Sequence, residues 1–138
     1  MKTKQVLSKT MLLICVLCTV RAVAAEQDIM QDVSDALRTG DAVKLAQYIN
    51  PTVELVIMGD ENIYSRAQAE LLLRDFFTRN KPSEFRVNHQ GTKRTTSFAI
   101  GMLITNKGNL RVSLFMKVDN GQMLIHKLRI EKGDNPTR

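Results

Sequence analysis

The chain is poor in the residues that most often carry chemistry. It has 138 residues, no tryptophan, two cysteines and two histidines, and aromatic residues make up only 5% of it. Cys15 and Cys18 both fall in one apolar run near the N-terminus, so everything after that run lacks a thiol. This excludes a disulfide framework, a cysteine nucleophile and a cysteine-ligated metal from the rest of the chain. His89 and His126 stand far apart, and no His-Glu-x-x-His string accompanies either, so no metal-ligand spacing is present. There is no glycine-rich phosphate loop, no Gly-x-Ser-x-Gly elbow, no internal repeat and no low-complexity tract. No cofactor is expected. The run from Met11 to Val20 is ten residues long, half of the roughly 20 that a spanning helix needs.

That run carries a different signal. Lys2, Lys4 and Lys9 precede it and Ala22-Val23-Ala24-Ala25 follows it, the arrangement of a secretory leader over residues 1 to 25. The expected location is secreted, in a periplasmic type of compartment, with no stable membrane anchor once the leader is cut. Ile14 and Leu17 before the cysteines do not suit lipoprotein processing. All four charges of the leader (Lys2, Lys4, Lys9, Arg21) are positive, so removing it lowers the net charge from +6 to +2. Lys93-Arg94, Arg111 and Arg129 are scattered among acids. Neither feature supports a nucleic-acid partner.

After the leader, residues 26–132 read as a single α+β domain, followed by a flexible tail over 133–138. Ile29, Val33, Ala36 and Leu37 repeat at helical spacing up to Gly40, and Asp41 caps a second short helix that Asn50-Pro51 stops. Val53 to Met58 predicts a strand, Gly59 to Asn62 a turn, and Ile63-Tyr64 a short returning stub. Ser65-x-x-Gln68 has the form of a capping box, and the helix after it carries Ala69, Leu72, Leu73, Phe76 and Phe77 on one side. From Phe85 to Glu131 the period falls to two, which predicts a four-strand antiparallel meander with a tight Asn120-Gly121 hairpin and a looser turn at Asn106 to Asn109.

Alternation assigns one face of the meander to Phe85, Val87, Phe98, Ile100, Met102, Ile104, Leu110, Val112, Leu114, Met116, Val118, Leu124, Leu128 and Ile130. His89 and His126 fall in register with it, unless a bulge reverses them. An imidazole among aliphatic side chains is a candidate pocket group, because a buried charge is costly and the ring must find a partner. The structural alternative is a hydrogen-bonded core or rim histidine. Leu103, Phe115, Met123 and Ile125 interrupt the polar face and suggest an interface, with a two-fold homodimer packed through the sheets. Glu54, Asp60, Glu61 and Asp75 read as solvated charges or as the rim of a pocket mouth, and Tyr64 as a packing residue near it.

Several strings carry a family resemblance: Val53-Glu54-Leu55-Val56-Ile57-Met58-Gly59, Tyr64-Ser65 followed by Ala67-Gln68-Ala69-Glu70, Phe76-Phe77, His89-Gln90-Gly91, Ala99-Ile100-Gly101 and Leu128-Arg129-Ile130-Glu131. They resemble a family of small secreted proteins of unknown function from Bacteroides-type bacteria. That family is similar in architecture to the nuclear transport factor 2-like, cystatin-like superfamily. The resemblance implies a curved antiparallel sheet wrapped around a long helix into a cone with a pocket at its wide end. It assigns no catalytic residue.

The reading favoured by these features is non-catalytic binding of a small apolar ligand or a protein partner. The pocket would be lined by Phe76, Phe98, Met102, Leu114 and Met116, with His89 and His126 as its polar groups. One alternative is an isomerase, dehydratase or hydrolase that uses a histidine as general base. Another is a dimerisation module whose cone is filled by side chains.

Overall fold

A computed structural model of the protein describes residues 29–133. The expected leader lies outside the described residues, as does the expected tail apart from Gly133. The chain divides into two compact units, Met1–Gln31 and Asp32–Arg138. Of the first, residues 29–31 are described, and they are helical.

The first helix, α1 (residues 29–39), buries Val33, Ala36 and Leu37. It ends where the pattern places its end. Gly40 takes φ +67°, its N–H donates to the Leu37 carbonyl at 3.2 Å, and the N–H of Asp41 donates to the Ala36 carbonyl at 2.9 Å. Those two bonds satisfy carbonyls that the helix end would otherwise leave bare. Asp41 then caps α2 (Ala42–Ala46) by accepting from the Lys44 N–H at 2.9 Å. The capping box is also present: in α3 (Arg66–Arg79) the Gln68 N–H donates to Ser65 Oγ at 3.2 Å, and the Ser65 N–H donates to Gln68 Oε1 at 3.1 Å. Ala69, Leu73, Phe76 and Phe77 form the buried side of α3.

Six strands make one curved sheet: β1 (Ile49–Ile57), β2 (Asp60–Ser65), β3 (Pro82–Lys93), β4 (Thr96–Thr105), β5 (Gly108–Asp119) and β6 (Gln122–Lys132), in the spatial order β2-β1-β6-β5-β4-β3. Only the β1–β6 pair is parallel among the described strands. The class is α+β as expected, with one strand more than the pattern suggested. Residues 60–62, read as turn, join the stub in a full strand that pairs with β1 from Thr52↔Ser65 to Ile57↔Asp60. Met58 (φ 52°) and Gly59 (φ 90°) make the connection in two residues, which leaves Asp60 free to pair. Strand β1 also begins earlier than expected, and passes through Asn50-Pro51. Proline is tolerated there because the ladder with β6 is interrupted between Ile49↔Ile125 and Glu54↔Lys127. The Asn120-Gly121 hairpin forms as read, with φ 49° and 77°.

On one side of the sheet α3 packs on β1 and β2, and α2 packs on α3. The buried side chains of that face include Leu55, Leu103, Leu110, Val112, Leu114, Met116, Ile125, Leu128 and Ile130.

Gly40 tests the helix junction. A Cβ there would meet Pro82 Cδ at 3.0 Å and Phe77 Cβ at 3.3 Å, in a left-handed conformation. Gly40→Ala is expected to lower stability by about 1–2 kcal/mol, read as an earlier urea midpoint. An unchanged midpoint would contradict this account of the junction.

Candidate functional site: the open face of the sheet

Register decides which side chains face the helices and which face outward. The β4–β5 turn is a two-residue connection, with Thr105 paired to Gly108. Leu103 therefore lies opposite Leu110, Gly101 opposite Val112 and Ala99 opposite Leu114, all on the covered face. The alternate positions face outward. There Phe98 pairs with Phe115, Ile100 with Ser113 and Met102 with Arg111. Phe98 and Phe115 are 44% and 43% exposed, whereas Leu103 is fully buried. The parity expected for β4 is thus reversed. Small residues, Ala99 and Gly101, point inward because the interior is crowded: a Cβ on Gly101 would come within 2.7 Å of the Phe85 ring.

Two bulges redirect the histidines. Between Val87↔Gly101 and His89↔Ile100, strand β3 carries one extra residue, Asn88, so His89 is exposed on the open face beside Ile100. Strand β6 carries one extra residue at His126, between Phe115↔Lys127 and Met116↔Ile125. His126 stands next to Lys127, which faces Phe115, and it is half-buried. Its Nε2 is buried without a hydrogen-bond partner among the described residues. The same bulge turns Ile125 and Met123 toward the covered face, opposite Met116 and Val118.

The proposed pocket lining is therefore not assembled. Leu114 and Met116 are sealed in the core, and Phe76 is buried on α3. Phe98, Met102 and His89 lie on the opposite side of the sheet, with His126 at the bulge. Of the expected interface patch, Leu103 and Ile125 belong to the core and Met123 is half-buried. Phe115 alone keeps the exposed position assigned to it. Phe98 lies directly opposite it, and Ile100, Met102 and Ile104 continue an apolar row along β4 away from it.

On this face Glu54, Glu61, Glu84 and Glu131 are paired, while Arg111 and Lys117 have no ion pair among the described residues. Lys127 Nζ donates to Glu54 Oε1 at 2.7 Å, Arg86 donates to both oxygens of Glu84 at 2.6 and 3.0 Å, and Arg129 approaches Glu131 at 3.1 Å and Glu61 at 3.8 Å. Glu54 and Glu61 share a hydrogen bond that holds Glu54 below the usual carboxylate range and pushes Glu61 above it. Lys127 lowers Glu54 further. These are solvent-screened pairs of small energy, and Arg111 and Lys117 leave the face with an excess of positive charge.

A second feature lies on the covered side. An open cleft of about 140 Å³ runs between α3 and the β1–β2 hairpin, with Leu55, Ile57 and Phe76 within it and Asp60, Tyr64, Leu72, Asp75 and Arg79 around it. Asp60, Tyr64 and Asp75 thus do line a pocket mouth. No histidine reaches it. Among the described residues no three His, Cys, Asp or Glu side chains gather where they could hold a metal, and no helix is long and apolar enough to cross a membrane.

With this geometry in hand, comparison with protein families gives a match to the Domain of unknown function (DUF4783) over residues 30–131. The chain belongs to the DUF4783 family. A DUF4783 protein from Bacteroides ovatus is 39% identical with a TM-score of 0.72, over 75% of this chain and 94% of that one. Fold alone is shared with a chain named Rd1NTF2_05 (17% identity, TM-score 0.61, 77% and 96% covered) and with a cystatin-like domain of unknown function from Nostoc punctiforme (11%, 0.65, 82% and 78%). The expected family and its nuclear transport factor 2-like, cystatin-like architecture are therefore those of this DUF4783 protein. No curated protein matches it.

The two faces respond differently to truncation. Leu103→Ala is expected to cost about 2–5 kcal/mol, as for a sealed core leucine, and Phe98→Ala well under half of that, in paired chemical denaturations. Equal losses would mean that the faces are misassigned.

Proposed function

We propose that this DUF4783 protein is a secreted, non-catalytic assembly module in which two copies pack through the open faces of their sheets. The observation that carries the reading is the cross-strand pair Phe98–Phe115, nearly half exposed on a sheet face that no helix of the second unit covers. An apolar cluster of this kind on an otherwise polar face marks an interaction surface.

A second copy suits the face in size. At ~3.3 Å per residue and ~4.8 Å between strands, the β3–β6 face measures roughly 700 Å² and the whole face roughly 950 Å², against about 800 Å² per partner in a standard interface. Glu54, Glu61, Glu84 and Glu131 are already paired within the face. A like face therefore meets no unpaired carboxylate, and Arg111 and Lys117 are the charges that a second copy has to accommodate. The fully buried Leu103, Leu114, Met116 and Leu128 support a filled interior rather than an apolar-ligand pocket. Both histidines lie away from the cleft, which weighs against a general base acting in it. The leader at residues 1–25 supports export.

Sedimentation velocity over a rising concentration series tests the assembly. The processed chain is expected to shift from monomer to dimer. Phe115→Glu, which places a charge where two faces would meet, is expected to stay monomeric with an unchanged melting temperature. A wild-type chain that remains monomeric throughout, or a Phe115→Glu variant that still dimerises, would sink the proposal.

A further inference from the structure

We propose that the cleft between α3 and the β1–β2 hairpin is a binding site for a short alkylammonium, a small primary amine with an apolar body. The site is separate from the open face, and it does not depend on assembly.

The cleft has an apolar floor and a charged rim at one end. Leu55 and Phe76 are buried, while Leu72 is 38% exposed and offers one wall to a ligand. Along β2, Asp60 and Tyr64 lie on the same side at opposite ends of the hairpin, because Asp60 pairs with Ile57 and Tyr64 with Val53. Helix α3 runs back along the hairpin from Ser65, which brings Asp75 and Arg79 to the Asp60 end. The Arg79 guanidinium is held by Asp75. Asp60 has no ion pair among the described residues, and the Tyr64 hydroxyl has no hydrogen bond among them.

Two carboxylates and one guanidinium leave the rim with one net negative charge. An anionic head on Arg79 would share that guanidinium with Asp75 and lie close to two carboxylates. A cationic head can sit between Asp60 and Asp75 without breaking that pair, as charge-assisted hydrogen bonding favours. The volume of about 140 Å³ equals that of four or five waters at ~30 Å³ each, enough for a chain of about six non-hydrogen atoms laid against Leu55, Leu72 and Phe76.

Three probes with one body and different heads isolate the charge: n-pentylammonium, pentanoate and 1-pentanol. Each is titrated into the isotopically labelled chain at constant ionic strength, and amide shifts are followed by NMR. Pentylammonium is expected to perturb residues 55–64 and 72–79 with a Kd on the order of a millimolar. Pentanol should bind at least several-fold more weakly, and pentanoate should leave the cleft unperturbed. Asp60→Asn, at an exposed position next to a turn, should weaken pentylammonium about tenfold, a loss on the scale of one charge-assisted hydrogen bond. Arg79→Gln should tighten it, because the competing cation is gone. Phe115→Glu should leave the titration unchanged. The proposal is overturned if pentanol or pentanoate binds as tightly as pentylammonium. It is equally overturned if the cleft amides do not move, or if Asp60→Asn has no effect.

Discussion

The structure depends on the pairing of Leu103 with Leu110 across the two-residue turn at Asn106-Lys107. A strand shows opposite faces at alternate residues, so this one pairing decides the orientation of every other residue in β4. It drives Leu103, Gly101 and Ala99 under the helices and turns Phe98, Ile100 and Met102 outward. Across the sheet the same register continues through Val112↔Ile130 and Leu114↔Leu128, so the helices meet one continuous aliphatic surface. A slip of one residue would bury Phe98 where only Ala99 fits.

The open face follows from the same constraint. Because the interior takes the small Ala99 and Gly101 next to Leu103, the bulky Phe98, Ile100 and Met102 are left on the outside, with Phe98 against Phe115. At one margin Gly91 allows a close approach: a Cβ there would lie 2.6 Å from the Phe98 ring, so the ring lies over the bare backbone of the neighbouring strand. That contact orients Phe98 without covering it. The ion pairs of β1, β2 and β6 neutralise the acids on one side of the apolar row along β4.

The local signals in the sequence were the readable ones. Gly40 after the Val33-Ala36-Leu37 stripe, Ser65 with Gln68, and Asn120-Gly121 each act over a few residues, and each forms what it encodes. The family strings likewise carried the architecture. The sidedness of the sheet was only partly legible, because it rests on residue counts across turns and on two bulges. Hydrophobic alternation placed Phe98, Ile100 and Met102 inward, and reading Asn106 to Asn109 as a loose turn removed the check that a two-residue turn supplies. With Thr105 set opposite Gly108, Leu103 would have been read as core. The bulges at Asn88 and His126 have no such local signature, so the facing of His89, Met123 and Ile125 was not to be had from spacing. The cleft was half legible: Asp60, Asp75 and Tyr64 read as groups at a pocket mouth, as did Glu54 and Glu61, which lie elsewhere, and Arg79 had no signal to mark it.

Oxidative footprinting of three methionines, at low and at high protein concentration, tests the sidedness and the use of the open face together. Met116 is buried in the core, Met58 is exposed at the β1–β2 turn, and Met102 is half-buried on the open face. The account predicts that Met116 stays protected and Met58 reactive at both concentrations, while Met102 is oxidised in dilute solution and becomes protected as the concentration rises. Met116 reacting as fast as Met102, or Met102 reacting equally at both concentrations, would contradict it.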